Sequence, residues 1–125
     1  MKDRKKVLLV DDDEECIEYI GSILSDNGFD VISAENGNDG INIAREEHPD
    51  LIFLDVMMPG IDGWDTCDNI RSTREIDGIP VVFLTCVKPP HSLQEIHGSF
   101  ETDWDSYLTK PILPDKLMAT VNQLV

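Results

Sequence analysis

Leu51-Ile52-Phe53-Leu54 is an unbroken apolar run that stops at Asp55, and the turn-rich stretch Val56-Met57-Met58-Pro59-Gly60-Ile61-Asp62-Gly63 follows it. A short apolar run bounded by charge and by Pro-Gly is the pattern of a strand covered on both faces, and such strands belong to parallel sheets. Trp64, Cys67 and Ile70 then recur at i, i+3 and i+6, the spacing of one helical face. The stretch therefore reads as strand, loop and helix.

The same alternation extends in both directions. Lys6–Val10 precedes a helical segment at about Glu14–Asn27, with Ile17, Ile20, Ile23 and Leu24 on one face and Gly28 placed to end it. Asp30–Ala34 precedes a helix at about Asn38–Glu47, opened by Asn36-Gly37 and closed before Pro49. Beyond the central unit, Pro80–Thr85 is a fourth strand, and Pro89-Pro90 postpones any helix to about Ser92–Phe100. Asp105–Thr109 is a fifth strand, and Pro114–Leu124, with Leu117, Val121 and Leu124, is a closing helix. Five βα units in one small chain imply an α/β domain: a five-stranded parallel sheet, doubly wound, with helices on both faces.

Composition narrows the function. The 125 residues suit one domain, and 41% hydrophobic with 28% charged residues is enough for one core. No apolar run approaches the roughly 18 residues that span a bilayer. The basic start, Met1–Lys6, is followed by an apolar run that ends at Val10, so it is not a secretory signal. Three cysteines, Cys16, Cys67 and Cys86, without C-x-x-C spacing suggest neither a disulfide framework nor a zinc site, and fit a reducing cytoplasm. His48, His91 and His97 form no metal-ligand spacing and read as surface or loop residues. A net charge of −15 repels nucleic-acid phosphates and anionic lipid, and favours cations and basic protein surfaces.

In open α/β sheets ligands bind outside the carboxyl ends of the strands, where strand order reverses. The residues at those ends are Asp11 and Asp12, Asp55, Thr85 and Lys110. Taken singly, each has an ordinary explanation. Asp12 with Glu15 three residues later is also a helix N-cap pattern, Asp55 before a Pro-Gly stretch suits a turn, and Thr85 and Lys110-Pro111 can merely end strands. Those explanations do not account for acid, acid, hydroxyl and amine falling at the same end of successive strands. With strand order 2-1-3-4-5 the reversal lies between strands one and three, where three adjacent carboxylates repel. A hard divalent cation relieves that repulsion, and Mg²⁺, which keeps several waters, leaves room for a phosphoryl oxygen.

These stretches resemble the receiver domain of two-component response regulators. The resemblance is carried by Val7–Asp12, Pro49–Gly63, Val82–Thr85 and Tyr107-Leu108-Thr109-Lys110-Pro111, and it covers nearly the whole chain. It implies the CheY-like, flavodoxin-like (βα)5 fold, and the order 2-1-3-4-5 is that of the family. It implies that Asp55 is the phosphoacceptor, supplied by the phosphohistidine of a sensor histidine kinase or histidine phosphotransfer protein, or by a small acyl phosphate. Asp12, Asp55 and the backbone carbonyl of Met57 would bind Mg²⁺ directly, and Asp11 through a water. Thr85 would donate its hydroxyl to the phosphoryl group, Lys110 would supply positive charge, and a Lys110-Pro111 bond would be cis. Thr85 and Tyr107 would carry the switch to an output partner, biasing a two-state equilibrium.

The chain departs from the family in several places. Cys86 stands where the family prefers a very small residue, and reads as a buried, inert thiol that narrows access for a bulky donor. Trp104, within Asp103-Trp104-Asp105-Ser106-Tyr107, stands where the family often carries a small residue in a Gly-Ala-Asp-Asp-Tyr run, and the segment from Thr85 to Lys110 is longer than usual. The output surface is therefore expected to be this chain's own. Met57 and Val87 carry no group to orient an attacking water, which implies a long-lived phosphoryl group. Two other functions compete with this one. A pseudo-receiver acting as a phosphorylation-independent interaction module would be expected to lose one of Asp11, Asp12, Asp55, Thr85 or Lys110, and all are present. An aspartyl-phosphate phosphatase needs Asp-x-Asp-x-Thr, but Glu15 stands where the Thr belongs. The chain is expected to be either a stand-alone receiver or one piece of a larger protein.

Overall fold

The computed structural model describes residues 4–56, 60–85 and 106–125. In chain order these form β1 (Lys6–Val10), α1 (Glu14–Asp26), β2 (Asp30–Ala34), α2 (Gly37–Glu47), β3 (Leu51–Asp55), α3 (Gly63–Arg71), β4 (Val81–Thr85), β5 (Ser106–Thr109) and α4 (Pro114–Leu124). The helix expected at about 92–100, the carbonyl of Met57, and Cys86, Val87 and Trp104 lie outside the described residues, as do the side chains of Thr85 and Tyr107.

The sheet is parallel, in the order β2-β1-β3-β4, with the backbone of β5 beside β4. Alternate residues of each strand point to opposite faces, so two cores form. Leu8, Val10, Ile52, Leu54 and Phe83 pack under α2 and α3 with Trp64, Cys67 and Ile70, and the Trp64 and Phe83 rings lie 4.6 Å apart. Val7, Leu9, Phe53, Val82 and Leu84 pack under α1 and α4 with Ile20, Leu24, Leu117 and Val121. Phe53 and Phe83 are fully buried, each contributing roughly 2–3 kcal/mol of hydrophobic stabilisation. The central apolar run is thus apolar throughout because both faces of β3 are covered. Among the described residues, no helix is long and apolar enough to cross a membrane.

Helix ends follow local chemistry. Asn36 caps α2 by accepting the Asp39 N–H at 2.8 Å, and Asp62 caps α3 by accepting the Asp65 N–H at 2.9 Å. At the end of α1 the N–H of Gly28 bonds Ser25 O at 3.1 Å and that of Phe29 bonds Leu24 O at 3.0 Å. This is the paired closure of a left-handed C-cap, and Gly28, at φ +91°, is the residue that adopts it without strain. The cap of α1 is Asp13, which accepts the Glu15 N–H at 3.0 Å, so the ordinary N-cap explanation of Asp12 does not hold. Asp11 continues the β1 ladder through its N–H to Ala34 O at 3.1 Å, and the chain turns into the helix only after Asp12.

The start of α3 presses on the end of β3. The Gly63 N–H donates to Val56 O at 2.9 Å. A Cβ on Gly63 would collide with the carbonyl oxygen of Asp55 and the Cα of Val56, which are backbone atoms that cannot rotate away. Gly63→Ala is therefore expected to destabilise the protein by about 1–3 kcal/mol, whereas Gly78→Ala, with open space around position 78, should change stability by no more than about 0.5 kcal/mol. Urea unfolding midpoints of the two variants check the contrast, and equal midpoints would show that α3 yields freely.

Candidate active site at the carboxyl end of the sheet

Strand register brings the acidic residues together. Val10 pairs with Leu54 across β1 and β3, so the next residues, Asp11 and Asp55, stand level on neighbouring strands, which lie about 4.8 Å apart. Asp55 is itself the last residue of β3, one residue further than the apolar run suggests, and pairs with Leu84 of β4. The Val56 N–H to Leu84 O bond, at 3.2 Å, carries the ladder one residue past it. Both carboxylates are thus aimed by backbone pairing rather than by loops. Both are buried, and Asp12 at the edge is exposed. One carboxylate oxygen from each of Asp11, Asp12 and Asp55 lies within 4.8 Å of the others, a grouping that could hold a metal ion.

Lys110 comes from two strands away. It follows Thr109, which pairs with Thr85, so about 10 Å of sheet separates its backbone from β3. The four-carbon stem covers the distance over β4, and a shorter cationic side chain would not. Its Nζ lies 3.1 Å from Asp11 Oδ2 and 3.4 Å from Asp55 Oδ1, so the ammonium is shared between the two buried acids and stands closer to Asp11. The other oxygen of Asp11 accepts the Asp13 N–H at 3.0 Å, which joins the acid to the start of α1. The Lys110-Pro111 bond is cis.

These placements set the protonation of the site. Burial, reinforced by the charge of Asp11 and opposed by Lys110, pushes the Asp55 carboxyl up to about 6. Burial alone would lower Lys110, but its hydrogen bond to Asp11 and the charges of Asp55 and Asp11 raise it above the ordinary lysine value. Cys16 was not among the residues expected at the site. Burial together with a hydrogen bond to Asp11 and its charge pushes the Cys16 thiol up to about 12, so it stays protonated and serves as a donor to Asp11. The signal was the cap position: with Asp13 as N-cap, Cys16 falls on the first turn, and helical side chains lean back toward the N-terminus.

Asp11, Asp12, Asp55 and Lys110 are thus brought together as the strand-end pattern requires. The positions of the Thr85 and Tyr107 side chains and of the Met57 carbonyl fall outside the described residues. Chemically, the arrangement offers three carboxylates as hard oxygen donors, two of them buried, with one ammonium beside them at the sheet end.

A pH signature follows. Asp55 binds its proton more tightly folded than unfolded, so its contribution to stability is fully present below the ordinary value of 3.8 and is lost as pH rises through about 6. Without metal, Asp55→Asn is expected to be about 1–3 kcal/mol more stable than the native chain at pH 7.5, and the advantage should vanish near pH 4. Unfolding midpoints of both proteins across this range, with chelator present, check the sign; an advantage independent of pH would contradict it.

Comparisons with known proteins agree with this geometry. The model of the response regulator receiver domain family matches residues 7–122. The chain is 32% identical over 120 residues to the protein PilH of Pseudomonas aeruginosa, covering 96% of this chain and 97% of that protein. It is 31% identical over 122 residues to a probable transcriptional regulator, ycf27, of Porphyridium aerugineum, covering 98% of this chain but only 48% of that relative, so it spans about half of its length. Among solved structures, the chemotaxis protein CheY4 of Vibrio cholerae superposes with a TM-score of 0.88 at 27% identity, covering 98% of this chain and 100% of that one. The receiver domain of the Francisella response regulator 1452 gives 0.83 at 31% identity, with 97% and 96% covered. With the family matched along almost its whole length and its strand-end acids gathered at one site, the chain belongs to the response regulator receiver domains of two-component signalling.

Proposed function

We propose that the chain accepts a phosphoryl group on Asp55 from the phosphohistidine of a sensor histidine kinase or histidine phosphotransfer protein, or from a small acyl phosphate, in a Mg²⁺-dependent reaction. The observation that carries the reading is the gathering of the Asp11, Asp12 and Asp55 carboxylates within 4.8 Å, with the Lys110 ammonium 3.1 and 3.4 Å from two of them. The fold that goes with it is the complete (βα)5 domain in the order 2-1-3-4-5.

In the transfer, a carboxylate oxygen of Asp55 attacks phosphorus in line with the leaving nitrogen. The P–N bond breaks and its electron pair stays on the donor imidazole. Charge spreads over the three equatorial oxygens of a loose transition state, and the site must answer it electrostatically. Lys110 supplies a fixed positive charge. It already lies against Asp55, and it can follow the charge as it moves from the carboxylate to the phosphoryl oxygens. Burial of Asp55 excludes water from the nucleophile and strengthens that interaction.

Three carboxylates are hard donors and fit Mg²⁺; Asp12 and Asp55 would hold it with the Met57 carbonyl, and Asp11 through a water. When bound, the ion neutralises the acidic cluster and phosphoryl oxygens. Thr85 is assigned the hydroxyl that meets the phosphoryl group, and Thr85 with Tyr107 the switch of the partner-binding surface. The reaction belongs in the cytoplasm, where ATP-fed kinases work. Direct nucleic-acid contact is disfavoured by the charge of −15. Met57 and Val87 support a phosphoryl group that persists after donor removal.

Incubation with Mg²⁺ and acetyl phosphate is expected to add one phosphoryl group to the intact mass. The gain should be absent in Asp55→Asn and in a chelated sample, and slowed at least tenfold in Lys110→Ala. No gain from acetyl phosphate or from a phosphorylated histidine donor would reverse the conclusion and favour a phosphorylation-independent interaction module.

A further inference from the structure

We propose that Tyr19 is a positioning residue for Lys110, its phenol hydroxyl fixing the turn that aims the ammonium at the acidic pocket. The inference rests on the phosphoryl-transfer reading above.

Lys110 opens the turn between β5 and α4, and its side chain has four rotatable bonds, so where its backbone stands decides what it reaches. That turn is poor in hydrogen-bond donors of its own. Pro111 and Pro114 have no N–H, and Leu113, the N-cap of α4, makes no side-chain capping bond. A donor arrives instead from another element. The Tyr19 hydroxyl of α1 donates to the carbonyl oxygen of Ile112 at 2.9 Å, two residues beyond Lys110 and 93 residues away in sequence.

Tyr19 is not placed for core burial. It is 46% exposed, while Ile20 and Leu24 of the same helix fill the core beneath it. Its polar tip is the part that reaches the turn. The helix that carries it also begins at Asp13, whose N–H holds Asp11 at 3.0 Å. One rigid helix therefore fixes both members of the Lys110–Asp11 pair, the acid through the N–H of its cap residue Asp13 and the lysine turn through Tyr19. The buried Ile112 side chain anchors the same turn independently, so loss of the hydroxyl loosens the turn without unfolding it.

Tyr19→Phe keeps the ring and removes only the donor. It is expected to fold and to take up phosphoryl from acetyl phosphate about fivefold more slowly than the native chain, the factor that one modest hydrogen bond supplies. In a Lys110→Ala background, followed over longer incubation, the same substitution should have no further effect, because the group it positions is gone. In the metal-free proteins, the side-chain ¹⁵N signal of the Lys110 ammonium should shift toward that of a free lysine in Tyr19→Phe. An unchanged rate, or equal slowing in both backgrounds, would overturn the proposal even with Asp55 chemistry intact. Should the native chain take up no phosphoryl group at all, the reading beneath the proposal fails, and an unmoved Lys110 signal would then dismiss the tie as well.

Discussion

Two carboxylates held level on adjacent strands, Asp11 and Asp55, are the constraint around which the carboxyl end of this domain is organised. Neither can move apart from the other, because each is set by the hydrogen-bonded ladder of the sheet. Burial and mutual repulsion push the Asp55 carboxyl up to about 6, and the fold answers with one ammonium drawn in from the far side of β4. That answer is partial. One lysine serves two buried acids with a third, Asp12, at the edge, so the pocket keeps a surplus of negative charge. A surplus of this kind is poor for stability and good for binding a cation. The acidic cluster and the sheet that aims it are one device.

Rigidity in the supporting elements follows from that arrangement. Repulsion would be relieved by a small outward swing of the end of β3, and several contacts oppose it. The Gly63 N–H grips Val56 O, and the helix start is seated so close to the Asp55 carbonyl that there is no room for a methyl group. Trp64 and Phe83 pack directly beneath. On the other face, α1 begins with Asp13 bonded to Asp11 and ends in a closed C-cap at Gly28, so its length is fixed at both ends. Preorganised charge is effective in phosphoryl transfer because the site need not reorganise when the reaction occurs.

Much of this was legible in the sequence, and the parts that were not share a physical reason. The strand Lys6–Val10 has the expected limits because a buried strand is written in consecutive apolar residues. The strand-end rule gathered Asp11, Asp12, Asp55 and Lys110 because parallel connectivity places those ends together whatever the loops do. Register, by contrast, is a property of pairs. That Asp13 rather than Asp12 caps α1 goes with the bond from Asp11 to Ala34 of the neighbouring strand, which no local pattern records. Cys16 and Tyr19 escaped for the same reason. Their partners, Asp11 and Ile112, are contacts made only once the helix is docked.

The route of the lysine has a consequence for how the site responds to charge. Because Lys110 reaches the pocket across β4, its ammonium is held chiefly by the acids it neutralises and by the backbone of its own turn. Its distance of 3.1 Å to Asp11 against 3.4 Å to Asp55 places it nearer the acid that is not the proposed phosphoacceptor. Asp55 thus shares its cation with Asp11, and a carboxylate with the whole of a cation to itself is a weaker nucleophile. A cation entering between Asp12 and Asp55 would weaken the pull of both acids on Lys110 and free the ammonium to face a new anion at the mouth of the pocket. On the proposed reading, the same side chain would serve two states in succession, holding the acids together before the anion arrives and binding the anion afterwards.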